Sequence, residues 1–234
     1  MSEGRMVVNT ARFNEALKRF RKTSKRAAGI ILKEQARGVL RKVVDWTPPG
    51  GKGAQGSAAK KRGEAAVERD IFKLMRPVKT FGRDTDVLRA AGMFIEASST
   101  ESPAAIHKAN RTRTGRVRRK LTPKIAIKAS ELRRYIASKK KMVGFLASGW
   151  KAAATKLGVS LPAWVTRHSG SGGGVIKSTA ASIEVTATNS VRNAPKLDME
   201  RRVQSAIDSQ ANAMVRRIEN FAVRQAARQS GFRN

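Results

Sequence analysis

Residues 139–168, KKKMVGFLASGWKAAATKLGVSLPAWVTRH, constrain the fold more than any other stretch of the chain. Val143, Leu146, Trp150, Ala153 and Leu157 are separated by 3, 4, 3 and 4 positions, which places them on one face of a helix. Gly158 predicts the stop, and Pro162 blocks easy continuation. Two of the 3 tryptophans lie here, Trp150 in the middle of the apolar face and Trp164 in the loop that follows. Aromatics make up only 5% of the chain, so these indoles read as structural anchors in a core otherwise built from Val, Ile, Leu and Ala. Trp164, being on a loop, is also suited to a contact between subunits. The expected arrangement is a central stretch with a long helix from each end of the chain packed round it.

Charge sets the second constraint. Lys and Arg number 49 against 17 Asp and Glu, a formal net charge of +32. Self-repulsion at that density opposes compaction, and polyanions or acidic neighbours relieve it. Nucleic acid, an acidic protein surface, or both are therefore the expected partners. The absence of cysteine excludes disulfides and cysteine-ligated metals and fits synthesis in a reducing compartment. The opening residues MSEGRMVVNT lack the apolar segment of a signal peptide, and no run of about 18 apolar residues is present to span a bilayer. A soluble protein made inside the cell, with no membrane partner, is expected.

Along the chain, Thr10 is placed to cap a helix that continues to Trp46, with Gly29 and Gly38 as points for a kink or break. Phe13, Leu17, Phe20, Ser24, Ala28 and Ile31 form its apolar stripe, and Leu32, Ala36, Val39 and Val43 carry a shifted one onward. Residues 47–56, TPPGGKGAQG, read as a mobile surface loop, followed by a helix capped by Ser57 that buries Ala59, Gly63, Val67, Ile71 and Leu74. A short strand is expected at 77–81, a helix at 86–97, irregular chain at 98–123, a strand at KIAIK (124–128) and a short helix capped by Ser130. SGSGGG after His168 reads as a linker or hairpin tip, and Val175 to Val185 as strand. From Leu197 onward Met199, Val203, Ile207, Met214, Ile218 and Phe221 define a long amphipathic helix, with Arg201, Arg202, Arg216, Arg217, Arg224 and Arg228 on its outer surface.

Signals for chemistry are few. Gly51-x-Gly53-x-x-Gly56 matches the dinucleotide fingerprint in spacing, but Thr47-Pro48-Pro49 separates it from any preceding strand, and the motif has meaning only in a strand–turn–helix unit. Glu64, Glu68 and Asp70 are the nearest approach to a carboxylate cluster. Lys60, Lys61, Arg62 and Arg69 interleave with them, so ion pairing on an exposed face accounts for them. His107 and His168 stand alone, without acidic ligands at helical spacing, and G-x-S-x-G is absent. No catalytic, cofactor-binding or metal-binding residues are assigned. The remaining feature is RTRTGRVRRK, where Arg111, Arg113, Arg116, Arg118, Arg119 and Lys120 supply 6 basic residues in 10 positions. Long basic side chains around a glycine suit contact with phosphates or with an acidic partner and carry no means of reading bases. A merely solvated loop fits the same residues.

GFLASGWKAAATKLG followed by PAWVTRH, then a β segment and a long closing helix, resembles the tail-completion and neck (head–tail connector) proteins of tailed bacteriophages. TPPGGKGAQGSAAKKRGEAAVERDI is similar to the proline- and glycine-rich segment of some virion proteins of this kind. The similarity covers roughly 30–75 and 139–230, and 76–138 reads as an insertion. It implies a single α+β domain over 1–234, with long N- and C-terminal helices packed on a small antiparallel sheet, further helices and flexible basic loops. It also implies a non-enzymatic, cofactor-free structural protein of the virion. Such a protein forms a homo-oligomeric ring at the head–tail junction beside the connector, tail tube or terminator, with packaged double-stranded DNA passing through. The competing reading is a free-standing basic nucleic-acid-binding protein acting through sequence-independent phosphate contacts. An enzyme acting on nucleic acid would need a carboxylate–metal cluster that the sequence lacks.

Overall fold

The computed structural model describes residues 9–24, 28–81, 83–92, 94–96, 101–112, 117, 124–178, 183–191 and 199–229. Helices dominate, with a few short strands. The described elements are α1 (Ala11–Ser24), α2 (Ala28–Trp46), α3 (Gly56–Phe72), β1 (Met75–Val78), α4 (Arg83–Ala90), β2 (Phe94–Glu96), α5 (Pro103–Ala109), β3 (Lys124–Lys128) and α6 (Ala129–Lys141). After a 3-10 turn at Ala147–Trp150 come α7 (Lys151–Leu157), α8 (Ala163–Thr166), β4 (Gly172–Ser178), β5 (Ile183–Asn189) and α9 (Met199–Gln229).

The central stretch buries all five residues of its expected face, but not on one helix. α6 ends at Lys141, and the chain turns through Gly144 at φ +103° before the 3-10 turn and α7. The positive φ at Gly144 favours glycine, and a Cβ there would also collide with the Trp164 carbonyl, 20 residues away, so the turn accepts no side chain. Gly158 ends α7 in the left-handed conformation as expected, and the Val159 N–H donates to the Ala154 carbonyl at 2.8 Å. Round this stretch lies the main core: Leu40, Val43, Val44 and Trp46 of α2, Ala59 of α3, Trp164 and Val165 of α8, Val191, and Met199 and Ala206 of α9. Trp164 is 8% exposed within it, which removes the expected role at a contact between subunits.

α9 is thus a wall of the core as anticipated, but α1 is not. Phe13 and Ala16 pack with Ile207, Ala211 and Met214 of α9 in a cluster of their own. The expected N-terminal helix is two helices, α1 and α2, that flank residues 25–27. Asn9 Oδ1 accepts the Ala11 N–H at 2.9 Å, and the Thr10 carbonyl accepts the Asn14 N–H at 2.8 Å at the start of α1.

The sheet expectation needs the larger correction. β1, β3 and β2 form a parallel sheet in that spatial order, with Met75 opposite Ile125 and Phe94 opposite Lys124. Only β4 and β5 are antiparallel, as a separate pair. Pro77 is tolerated because β1 is an edge strand, and KIAIK is the central strand. The helix expected at 86–97 is α4 followed by β2, and α5 lies within the stretch expected to be irregular. Ser102 Oγ caps α5 by accepting the Ala105 N–H at 3.2 Å, with Pro103 at the first helical position. Residues 71–136 have their own core of Ile71, Leu74, Met75, Ile106, Ile127, Leu132 and Ile136. The segment read as an insertion therefore carries the parallel sheet.

Two cap assignments also change. The N-cap of α3 is Gln55 and that of α6 is Lys128, so neither Ser57 nor Ser130 has that role. The glycine run after His168 leads into β4, with Gly172 to Gly174 inside the strand, rather than forming a linker or hairpin tip. A Cβ at Gly172 would strike the Gly149 carbonyl and one at Gly174 would strike Ala153, so only glycine lets β4 lie on the 3-10 turn and α7.

Candidate anion cleft

Residues 47–56, expected to be mobile, are tied at several points. The Arg62 Nη1 donates to the Lys52 carbonyl at 3.0 Å, and Arg202 Nη1 donates to the Trp46 carbonyl at 2.6 Å and to that of Gly50 at 3.4 Å. Asp45 Oδ1 accepts the Gly56 N–H at 3.2 Å, which fixes the start of α3. Burial pushes the Asp45 carboxyl above its ordinary value, and the Gly56 hydrogen bond opposes the shift.

This anchoring shapes a cleft of about 500 Å³ between α2, the start of α3, the 160–162 loop and α9. Its charged lining is Arg41, Lys42 and Asp45 from α2 and Arg217 from α9. Lys42 Nζ donates to Gln210 Oε1 at 2.8 Å and to Ser209 Oγ at 3.1 Å. Gln210 is held in turn, its Nε2 donating to Gln35 Oε1 at 2.6 Å in the interior. Gly38 makes the room: a Cβ there would lie 2.6 Å from Gln210 Nε2. Burial and the nearby Arg217 both push the Lys42 ammonium below its ordinary pKa. Among the described residues no carboxylate pairs with Arg41, Lys42 or Arg217.

Elsewhere several of the scarce carboxylates are held in ion pairs. Lys60 meets Glu64 at 3.2 Å, Lys73 meets Asp70 at 2.7 Å, and Lys140 of α6 meets Glu68 of α3 at 2.5 Å. The first is an expected helix-face pair, the second uses Lys73 at the end of α3, which is not among the expected partners, and the third joins two helices. Several arginines use backbone carbonyls at helix C-termini instead: Arg202 at the end of α2, Arg167 on Lys141 at the end of α6 (2.7 Å), and Arg37 on Leu157 at the end of α7 (2.6 Å). Arg202 thus turns inward, whereas Arg201, Arg216, Arg217 and Arg224 are exposed as expected. The side chain of Arg228 lies outside the described residues.

Of the basic run, Arg111 is exposed and bridges Val117. Arg113, Arg116, Arg118, Arg119 and Lys120 lie outside the described residues. Arg111 acts on His107, which is buried between α5 and α6 with its Nδ1 2.7 Å from the Tyr135 hydroxyl. Burial first, then Arg111 and Lys139, bring the His107 pKa down to about 4, against a weaker upward pull from Asp70. Among the described residues no group of three or more His, Asp or Glu converges as metal ligands do, and no helix is long and apolar enough to cross a membrane.

Comparison with protein-family models, curated proteins and solved structures found no match to this chain.

The sequence did not signal the cleft. Lys42 and Gln210 stand 168 positions apart, and neither belongs to a motif. A polar glutamine in the apolar face of α9, facing a glycine in α2, was the one available hint.

Proposed function

We propose that the chain is a structural virion subunit of a tailed phage, an α+β protein that assembles into a ring of the neck or tail-completion type and performs no catalysis. One observation supports assembly above all. As far as Val215, α9 packs against α1 and α2, but farther along Phe221 is 50% and Val223 68% exposed, and Arg216, Arg217 and Arg224 are exposed as well. Full burial of a phenylalanine is worth about 1.5–3 kcal/mol, so half-exposed Phe221 forfeits about half of that, which a neighbouring subunit would recover. Arg217 and Arg224 lie within one turn of Phe221 on α9, and arginine and phenylalanine are both enriched at protein interfaces. Ring neighbours would be further copies and adjacent virion proteins, with the double-stranded DNA in the bore drawn to the arginines.

Light scattering on the size-separated protein, with negative-stain images, tests this. Assemblies well above the 25.5 kDa of one chain are expected, and Phe221→Glu with Val223→Glu should return them to monomers. A monomer under all conditions would overturn the ring. The second reading, a free-standing protein that binds nucleic acid through phosphates alone, is favoured by the exposed arginines of α9. A monomer that coats DNA would establish it instead.

A further inference from the structure

We propose that the cleft between α2, α9 and the 160–162 loop is a binding site for a phosphate group. The proposal does not depend on ring formation. Three cations, Arg41, Lys42 and Arg217, line a space of about 500 Å³, within the range of small-ligand sites. The one acid in the lining, Asp45, accepts the Gly56 N–H and forms no ion pair with these cations among the described residues. The cations repel one another, and no described carboxylate is ion-paired with them.

The support behind Lys42 is what separates this cluster from ordinary surface charge. Its ammonium is held by two neutral oxygens, Gln210 Oε1 and Ser209 Oγ, which position it without cancelling its charge. Gln210 and Gln35 are both buried and hydrogen-bonded to each other, a polar network inside an apolar packing. A satisfied buried amide pair is rigid, and here it fixes the position of one lysine ammonium at the cleft. An ammonium has three N–H groups, and two are accounted for. Two guanidinium forks beside it match a tetrahedral oxyanion, which can accept paired hydrogen bonds from each. Ser160 and Gln55 complete the lining with further polar groups.

Calorimetric titration of the full chain with pyrophosphate, at about 150 mM KCl to screen diffuse attraction, tests the site. Saturable binding is expected. Arg217→Gln, a change on the exposed surface of α9 that leaves the core alone, should weaken it about tenfold, and Lys42→Met by at least as much. Arg134→Gln and Lys141→Met remove the same charges from exposed positions on α6, and each should alter binding by less than about twofold. Failure to saturate, or equal loss in the α6 controls, would overturn the proposal. A short DNA duplex then identifies the source. If it displaces pyrophosphate and shows the same dependence on Arg217, the phosphate is that of a nucleic-acid backbone. If it binds parent and Arg217→Gln alike, while pyrophosphate still requires Arg217, the ligand is a small phosphate compound. A glutamate-rich peptide that outcompetes both would mean a carboxylate site and overturn the assignment.

Discussion

The indole N–H of Trp150 donates to the hydroxyl of Thr47 at 3.2 Å, across 103 positions of chain. Thr47 Oγ1 donates in turn to the Val43 carbonyl at 2.6 Å, so the central stretch is tied to the last turn of α2 through one hydroxyl. Trp150→Ala is expected to cost about 3–5 kcal/mol through lost packing. Thr47→Val should cost about 1–3 kcal/mol, because it leaves a buried indole N–H unpaired with little change of volume. Denaturant midpoints check both, and a Trp150→Ala protein as stable as the parent would remove this stretch from the core.

Gly38→Ala should destabilise the chain although alanine is the better helix former. The propensity gain is about 1 kcal/mol, but a Cβ 2.6 Å from Gln210 Nε2 forces the amide aside at a cost of about 1–3 kcal/mol. Gln210→Ala in the same chain removes the clash. Thermal melts of the two single variants and the double one should therefore show the second change partly rescuing the first.

His107 gives the stability a pH dependence of definite sign. Its folded pKa of about 4 lies below the 6.5 of an unfolded histidine, so between these values the unfolded chain binds more protons. Stability should be complete above about pH 6.5 and fall as pH drops toward 4, by up to about 3 kcal/mol from this residue. His107→Leu should flatten that part of the profile in urea melts taken from pH 4 to 7. An unchanged slope would mean that other groups govern acid unfolding.

If the exposed arginines of α9 meet DNA, affinity should fall steeply with salt and ignore sequence. Neutralising Arg201, Arg216 and Arg224 together should flatten log K against log salt by up to about 3 units, at roughly 0.9 per phosphate released. An unchanged slope, paired with smaller assemblies, would assign these residues to neighbouring subunits.

Periodicity disclosed what was local. The 3, 4, 3, 4 spacing from Val143 to Leu157 picked out five buried residues, and the alternation of KIAIK picked out the central strand. It could not disclose the break at Gly144, where the Trp164 carbonyl that leaves no room for a side chain is brought close by tertiary packing. MRPV and FIE are too short to carry a period: the strand expected at 77–81 overlaps β1 only at Pro77 and Val78, and β2 falls in the helix expected at 86–97. Gly172 to Gly174 read as a linker because missing side chains usually mean missing order, and the surfaces they fit belong to other segments. The cleft was hidden for the same reason, its residues being assembled from positions 38 to 217.

The pairing of α1 with α9 has a consequence during synthesis. The apolar face of Phe13 and Ala16 leaves the ribosome early, yet its partners Ile207, Ala211 and Met214 follow nearly two hundred residues later. β1 and β2 likewise wait for β3, the last of the three strands to be made and the one between them. Contacts so distant along the chain close slowly, and until they close the exposed surfaces invite misassembly. Through that interval the basic residues of α1, Lys18, Arg19, Arg21 and Lys22, would hold nascent chains apart by mutual repulsion, a use for positive charge that precedes any partner.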